Sequence, residues 1–350
     1  MQNLKVWSYI SLPWLAFTIT FFIGFFFIAF FSQLDNTFLT NDYLVTLFLN
    51  TILLSSFTAI LSALIAVPLA ILVTFYKFPG HKFFSWGLSL SIAFPAYVYA
   101  FIFVGIFEYS SPISEYLRQI NIVLPSIKNL IGASAIMSMA LFPYIFLLTK
   151  AQLSNVGVNI FKAAKSLGNS DLTAIYKVIF PSLKPAIFAG MALVIFETIA
   201  DFGGVSTLRI ETFTVGIYDA WFGYQSYYSA ARLAGYLLIF VLFIIFISRY
   251  FQTNSNLLAS KTAEIVEKIE LSKFKQFLLT TICIIIFSFI FCIPFLQLIF
   301  WHFDNLEFNL INNLNLLLNS ILIGIFAALV TVFFAISLSL SYRGTNSLRY

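Results

Sequence analysis

Two acidic residues of the sequence are spaced so that they could act together on one ligand. Glu197 and Asp201 lie four residues apart near the end of an apolar segment, and this spacing puts both carboxylates on one face of a helix. An acid in the middle of a lipid-facing helix costs roughly 2.5–3.5 kcal/mol, so such residues usually face a cavity or a partner. Paired carboxylates suit transient contact with a hard, oxygen-preferring cation. The structural alternative places Asp201 at the membrane interface and bonds Glu197 to a neighbouring helix.

Other residues with functional chemistry form no recognisable catalytic or metal site. His81 and His302 are isolated and lack metal-ligand spacing, and no G-x-x-x-x-G-K-[ST] motif is present to cradle a nucleotide. One polar connection is rich in aromatic residues, whose phenolates could bind ferric iron, although a membrane-interface belt is the simpler explanation and docking of a partner protein a third. These residues are Tyr218, Trp221, Tyr224, Tyr227 and Tyr228. The sequence predicts no catalysis by this chain, no cofactor and no bound metal.

The elements that position these residues are apolar segments of membrane-spanning length. The chain has 350 residues, of which 61% are hydrophobic and 9% charged, whereas about a quarter of a soluble domain is charged. Because roughly 20 apolar residues in a helix cross a bilayer, the sequence predicts an all-α, polytopic transmembrane helical bundle surrounded by membrane lipid. We expect about eight spans, near residues 8–31, 45–75, 84–107, 129–149, 185–203, 231–249, 276–300 and 315–341.

The distribution of basic residues predicts the orientation of the chain. With a cytoplasmic N-terminus, all but four of the 19 lysines and arginines fall in inside segments, and most acidic residues fall outside. The exceptions are Arg118, Lys128, Arg209 and Arg232. Cytoplasmic connections of membrane proteins are enriched in Lys and Arg, so the N-terminus is predicted to be cytoplasmic. The net charge of +5 therefore reflects topology, and no nucleic-acid partner is expected.

Residues 150–184 interrupt the apolar pattern between the fourth and fifth predicted spans. Apolar residues recur at helical spacing up to Leu167, Gly168 breaks the pattern, and residues 169–171 offer short side-chain oxygens that can cap a new helix. A second amphipathic turn follows, and Pro181 is expected to end it. The pattern predicts a helix, a glycine bend and a second helix. An amphipathic hairpin lying on anionic lipid is the alternative.

This segment resembles the EAA loop of ABC importer permeases. The sequence A-A-x-x-L-G at 163–168 is followed by F-P-S-L-K-P-A-I at 180–187, with the spacing of that loop. In the family, the loop forms coupling helices that dock on a cytoplasmic ATPase subunit. Lys162 replaces the family's leading Glu, so the salt bridge of that Glu is not implied here. The resemblance implies a type I ABC importer permease fold and a coupling loop formed by Ala163, Ala164, Leu167, Gly168, Leu172, Ile175 and Pro181.

Residues 200–222 carry a second resemblance. Their sequence, ADFGGVSTLRIETFTVGIYDAWF, is similar to the exit of the fifth span in ferric-iron importer permeases, where D-F-G precedes a T-F-T-x-G-I-Y-x-x-W-F run. Several rare aromatic positions are in register. The resemblance implies ferric iron as the substrate and a periplasmic binding protein that delivers it. Glu197 and Asp201 would then lie on the translocation pathway.

The sequence also contains an internal repeat. The run LNTILL at 49–54 matches LNSILI at 318–323, and each run follows an acidic outer connection and leads into a basic inner segment. Two leucine-rich helices can match by chance, but the shared Asn-[Thr/Ser]-Ile-Leu at the same point of a span favours duplication. A second permease half is thus an expected partner, and its coupling loop would lie beyond residue 350. The predicted parts are a first half at 1–250 with six spans, a cytoplasmic linker at 251–275 and the start of a second half at 276–350.

Together these patterns predict the permease subunit of a bacterial ABC importer for ferric iron in the inner membrane. Cytoplasmic ABC ATPase subunits would hydrolyse ATP, because this chain lacks nucleotide-binding motifs. An ABC permease for thiamine, polyamine or an oxyanion remains an alternative. So does an ion-gradient secondary transporter, whose uptake would survive loss of the ATPase and fail without a membrane potential. A membrane scaffold or integral enzyme is disfavoured by the patterned loop.

Overall fold

The structure is a computed structural model, and it describes residues 2–31, 39–168, 170–252, 268–304 and 310–346. Almost all of this part of the chain is helical, with one pair of two-residue strands. The α-helices are α1 (Gln2–Phe31), α2 (Asn41–Phe75), α3 (His81–Gly87), α4 (Ala96–Phe107), α5 (Pro112–Gln119), α6 (Leu130–Ser166), α7 (Asp171–Ala174), α8 (Phe180–Ala200), α9 (Gly203–Thr207), α10 (Phe213–Tyr218), α11 (Tyr227–Gln252), α12 (Lys273–Phe287), α13 (Ile293–Asp304) and α14 (Leu310–Asn346).

Eight helical stretches within the described residues are long and apolar enough to cross a membrane, which confirms the predicted all-α fold class with eight spans. They are Pro13–Phe31, Asn41–Phe75, Ala96–Gln119, Leu130–Ser154, Ile175–Ala200, Tyr227–Phe246, Lys273–Phe303 and Leu314–Leu340. The chain forms two compact units, Leu34–Phe300 on the one hand and Met1–Gln33 with Trp301–Tyr350 on the other.

The third span is not the continuous helix predicted at 84–107. A 3₁₀ turn over Leu88–Ala93 follows α3, and the backbone is extended at Phe94 before α4 begins after Pro95. A proline disfavours the helical conformation in the residue before it and has no N–H to donate, which explains the break. The chain then turns at Glu108, and Ser111 caps α5 by accepting a hydrogen bond from the Ser114 N–H at 3.0 Å.

The core of the larger unit lies where α2, α6 and α8 pack together. The face of α2 that is buried there carries hydroxyl residues at helical spacing: Thr51, Ser55, Thr58 and Ser62. Two of these hydroxyls donate back to their own helix, Thr51 to Leu47 O and Ser55 to Thr51 O, both at 2.7 Å. Small residues at such an interface let helix backbones approach closely, and in lipid this packing replaces a hydrophobic driving force.

The closest approach of α6 and α8 is at Gly190. A Cβ atom added there would lie 2.7 Å from Ile145 Cα, a distance that real Cβ atoms do not adopt. The neighbouring side chains Ile145, Phe142 and Phe146 are fully buried. Glycine is therefore required at this position by packing rather than by backbone conformation.

The smaller unit contains α1 and α14, which pack against each other. The rings of Trp14 and Phe334 lie 4.1 Å apart at this contact. Both helices otherwise present large apolar side chains outward, such as Phe17, Phe27 and Leu329, each more than 60% exposed. Such helices are suited to lipid or to further helices.

One short β-bridge joins the ends of distant elements in the larger unit. Strand β1 (Tyr76–Lys77) follows α2 directly, and it pairs in parallel with β2 (Ile269–Glu270), which precedes α12. The Lys77 ammonium lies 2.7 Å from the Glu270 carboxylate, and this exposed ion pair lowers the pKa of Glu270. The bridge holds the start of the seventh span against the end of the second.

A substitution at Gly190 tests the packing of α6 against α8. We expect Gly190→Ala to lower the thermal unfolding temperature of the purified protein in detergent, because overpacking costs about 1–3 kcal/mol. The matched control is Gly24→Ala in α1, where an added Cβ meets nothing within 4 Å. Equal unfolding temperatures for the two variants would contradict the close approach.

Candidate functional site

The fourth span continues well beyond the membrane-spanning length. Helix α6 runs without a break for 37 residues, about 55 Å at 1.5 Å per residue, whereas a hydrocarbon core is about 30 Å thick. The span predicted at 129–149 corresponds to Leu130–Ser154, and the helix predicted before Gly168 is a continuation of the same helix α6. The turns up to Ser166 are the continuation of the span itself, so a force on this end acts directly on a helix of the core.

A tight turn at Leu167–Gly168 ends the projecting helix, and this turn is the glycine bend that the sequence predicts. Gly168 has φ +83°, in the left-handed region that L-residues rarely adopt, and an added Cβ there meets no atom within 4 Å. Ser170 starts the next helix, because its Oγ accepts from the Thr173 N–H at 3.3 Å and its carbonyl from the Ala174 N–H at 2.9 Å. The predicted helix, bend and helix are present.

Pro181 does not end the second helix, contrary to prediction. A π turn over Ile175–Ile179 follows α7, in which the Phe180 N–H bonds to Ile175 O, and the chain continues as α8 to Ala200. Pro181 lies in the first turn of α8, where a missing N–H is tolerated because the preceding turn is wider. The π turn thus lets the fifth span begin at the bend instead of after it.

The tip of this bend exposes apolar side chains. Leu167 is 84% exposed and Tyr176 75% exposed, and the Tyr176 ring stacks on Phe180 with centroids 6.1 Å apart. Of the other predicted contact residues, Pro181 is exposed and Ile175 is half-buried in the chain's own core. The side chains of Ala163, Ala164 and Leu172 lie outside the described part of the structure. Sequence reasoning missed Tyr176, which the aromatic pair at i and i+4 could have indicated.

The two predicted pathway carboxylates have different surroundings. Asp201 ends α8, and its Oδ1 accepts hydrogen bonds from the N–H groups of Gly204 at 2.7 Å and Val205 at 3.1 Å. Glu197 is exposed, and its Oε1 lies 3.5 Å from the Tyr144 hydroxyl of α6. The structure therefore favours a capping role for Asp201, while Glu197 retains an accessible carboxylate.

Helix α2 holds the segment that follows these residues. The Asn50 side-chain amide donates to Glu211 O at 3.0 Å, and the Phe213 N–H donates to Thr51 Oγ1 at 3.2 Å. The Thr214 hydroxyl donates to Asp201 O at 2.8 Å, which ties the segment back to the end of α8. The conspicuous D-F-G and T-F-T residues thus form a hydrogen-bonded support at one end of the second and fifth spans.

The aromatic residues of the next connection form a partly stacked surface. Tyr218 packs against Phe202 with centroids 4.6 Å apart, and Trp221 lies edge-on to Tyr227 at 4.9 Å. The aromatic side chains Tyr218, Trp221, Tyr224, Tyr227 and Tyr228 are all exposed. Among the described residues, no group of three His, Cys, Asp or Glu side chains lies close enough to hold a metal ion. This surface is consistent with an interface belt.

Eight apolar helices, one of which projects into an exposed bend, are the features of a polytopic membrane permease. Residues 66–256, more than half of the chain and including the bend, match the family described as "Binding-protein-dependent transport system inner membrane component". The chain belongs to this family.

The alignments with related permeases cover only part of each relative's length. The chain is 26% identical over 188 residues to the Fe(3+)-transport system permease protein FbpB 2 of Haemophilus influenzae, which covers 54% of this chain and 34% of that protein. It is 27% identical over 154 residues to the sulfate transport system permease protein CysT of Salmonella typhimurium, covering 44% of this chain and 55% of that protein. The chain thus spans about a third to a half of these relatives.

Among solved structures, the chain is similar to a bacterial ABC transporter involved in the import of the acidic polysaccharide alginate. The TM-score is 0.49 at 16% sequence identity, and the match covers 72% of this chain and 99% of that one.

Substitutions at Asp201 separate capping from charge. We expect Asp201→Ala to lower the stability of the purified chain by about 0.5–2 kcal/mol, because two backbone N–H groups lose their acceptor. Asp201→Asn keeps a side-chain oxygen and should retain most of that stability. Glu197→Gln is the control, because it removes a negative charge at an exposed position and should leave the stability unchanged. Thermal unfolding that is impaired equally by Asn and Ala at 201 would contradict the capping role.

Proposed function

We propose that this chain is the permease subunit of an ATP-driven importer, and that the bend at 166–180 is where a cytoplasmic ATPase subunit docks. The observation that supports this best is the exposed turn at the end of a continuous helix. Its tip carries Leu167 and Tyr176, apolar side chains that would be buried by a partner rather than by the chain itself. A membrane-lying hairpin would not require the preceding helix to project.

The proposed mechanism follows from the packing of α6. Closure of the ATPase pair on ATP displaces the bend, and α6 transmits this displacement because it is unbroken and packs against both α2 and α8. Packed cores switch between discrete arrangements rather than deform continuously. The spans would alternate in this way between outward-open and inward-open states, with a periplasmic binding protein delivering substrate.

The proposed orientation puts the bend and the N-terminus in the cytoplasm. The positive-inside distribution supports it, since Lys77, Lys150, Lys177 and Lys184 then lie near the cytoplasmic ends of spans. In the same orientation Glu197, Asp201 and the aromatic surface lie at the outer end of the fifth span. The location would be a bacterial inner membrane.

Ferric iron is the substrate that we propose, and an oxyanion is the second candidate. The accessible Glu197 carboxylate beside the Tyr144 hydroxyl offers oxygen ligands, which a hard cation prefers. The 200–222 resemblance and the similarity to the iron permease of Haemophilus influenzae support iron. Similarity to sulfate permeases keeps the oxyanion alternative, which Glu197 would disfavour by repulsion.

We also propose that residues 276–350 begin a second permease half. At an offset of 269 residues, buried positions of α2 correspond to identical or small residues in α14. The pairs are Leu47 with Leu316, Thr51 with Ser320, Ser62 with Thr331 and Ala66 with Ala335. In addition, α1 packs with α14 and α12 with α3, so the first helix of each proposed half contacts the other half.

Variants of Gly168 test the docking role. Gly168→Val places a β-branched residue at φ +83°, which costs roughly 1–2 kcal/mol and would reduce capture of the ATPase subunit about 5- to 30-fold in co-purification. Gly168→Asn is the matched control, since Asn tolerates this conformation better. The unfolding temperature of the membrane part should not change, because the turn is exposed. Full ATPase capture by the Val variant would refute the docking role.

Transport by the complete complex in vesicles tests the substrate. We expect ATP-dependent uptake of radiolabelled ferric iron delivered by the binding protein, with no uptake of labelled sulfate. Glu197→Gln should reduce iron uptake at unchanged protein level, because a ligand for the cation is weakened. Uptake of sulfate instead, or iron uptake that needs a membrane potential and no ATPase, would reject the proposed substrate or the proposed class.

A further inference from the structure

Three lysines meet on the proposed cytoplasmic side of the larger unit. Lys268, just before β2, donates to Val73 O in the last turn of α2 at 2.7 Å. Lys150 of α6 donates to Ser85 O of α3, and Lys82 lies one helical turn before Ser85 on α3. We call Lys82, Lys150 and Lys268 the lysine cluster. Its members come from three segments that the fold brings together.

The lysine cluster lacks a counter-charge within the described part of the chain. The ion pairs found there are Lys77 with Glu270 and Lys128 with Glu108, so none of the three ammonium groups is paired with an acid. Burial lowers the pKa of Lys268, and the positive charges of Lys150 and Lys82 lower it further. Lys150 and Lys268 are half-buried and Lys82 is exposed, and half-buried like charges are costly unless an anion joins them.

The hydrogen-bonding capacity of the cluster also exceeds what the chain satisfies. An ammonium group has three N–H donors, and Lys150 and Lys268 each use one on a backbone carbonyl. A groove of about 480 Å³ opens beside Lys82, with His81 and the Lys77–Glu270 ion pair in its walls, and Lys150 and Lys268 are not among its lining residues. An oxyanion with several acceptor oxygens could bond to more than one of these lysines at once.

The surroundings of the cluster are those of a membrane interface. Helix α3 carries Phe83 and Trp86 with exposed rings, 39% and 56% respectively, on the same short element as Lys82. Tryptophan is enriched where headgroups meet acyl chains. A ligand here would therefore have its charged part at the lysines and apolar chains along these rings.

We propose that the lysine cluster binds the phosphate of an anionic phospholipid headgroup, with the acyl chains against α3. In a bacterial inner membrane this is the chemistry of phosphatidylglycerol. The bound phosphate would join α3, α6 and the segment before α12, and thereby stabilise the start of the seventh span against the core. The leaflet rests on the proposed orientation, but binding itself does not depend on transport.

Lipid titration of the purified, delipidated chain in detergent tests this proposal. The probes are phosphatidylglycerol, phosphatidylcholine and inorganic phosphate, read out by the unfolding temperature and by lipid retention in native mass spectrometry. We expect phosphatidylglycerol to raise the unfolding temperature of the wild type in a concentration-dependent way. The Lys150→Gln, Lys268→Gln double variant should need about tenfold more lipid or greater, because hydrogen bonds between charged groups are lost.

The matched control is the Lys273→Gln, Lys275→Gln double variant, which removes the same charge from exposed positions on the same side. It should respond to phosphatidylglycerol as the wild type does. A double variant with Arg at 150 and 268 keeps the charge and should keep the preference, which covers the case that the Gln variant fails to fold. Equal effects of phosphatidylcholine, equal losses in the control, or full stabilisation by inorganic phosphate alone would each overturn the lipid site. None of these outcomes bears on ATPase capture or on substrate uptake.

Discussion

The close packing of α6 between α2 and α8 is the constraint on which the rest of the structure depends. In lipid there is little hydrophobic gain from bringing helices together, so association relies on close contact and on satisfied polar groups. Gly190 supplies the contact, since no side chain fits between it and Ile145. The Thr51 and Ser55 hydroxyls of α2 are satisfied within their own helix, and the Ser62 hydroxyl donates to Ser138 O of α6. A helix fixed in this way can extend from the membrane to the bend at Gly168 as one rigid piece.

The same arrangement connects the two ends of the fifth span, which are the hydrogen-bonded segment after Asp201 and the bend at Gly168. Asp201 caps α9, Thr214 bonds back to Asp201, and Asn50 and Thr51 of α2 hold the segment between them. The ends of the second and fifth spans that lie away from the bend are therefore linked by hydrogen bonds between side chains and backbone. The opposite end of the fifth span begins at the bend itself, through the π turn. The bend is thus connected to this hydrogen-bonded support both along α8 and through the packing of α6 against α2 and α8.

Much of the fold could be predicted from the sequence, because a helix that crosses a membrane must be apolar over a fixed length. The length of the apolar segments predicted the eight spans. Gly168 and Ser170 predicted the bend, because the conformation of a glycine and the capping of a helix depend on neighbouring residues only. The predictions that were wrong concern the prolines, whose effect on a helix depends on the turns around them. Pro95 breaks a helix that hydropathy joins, whereas Pro181 continues one, because a π turn precedes it. The hydrogen bonds of Asp201 and the exposure of Tyr176 depend on the tertiary structure, although the i and i+4 spacing of Tyr176 and Phe180 could have indicated their aromatic pair.

The central claim is that the bend after α6 is a cytoplasmic surface through which an ATPase moves the spans, and its location can be measured directly. Leu167→Cys, in a chain whose Cys283 and Cys292 are replaced, places a thiol at the exposed tip. A membrane-impermeant maleimide should label it in inside-out vesicles and not in intact cells, while Tyr109→Cys in the proposed outer connection should show the reverse. Labelling of residue 167 from the outside of intact cells would contradict the account.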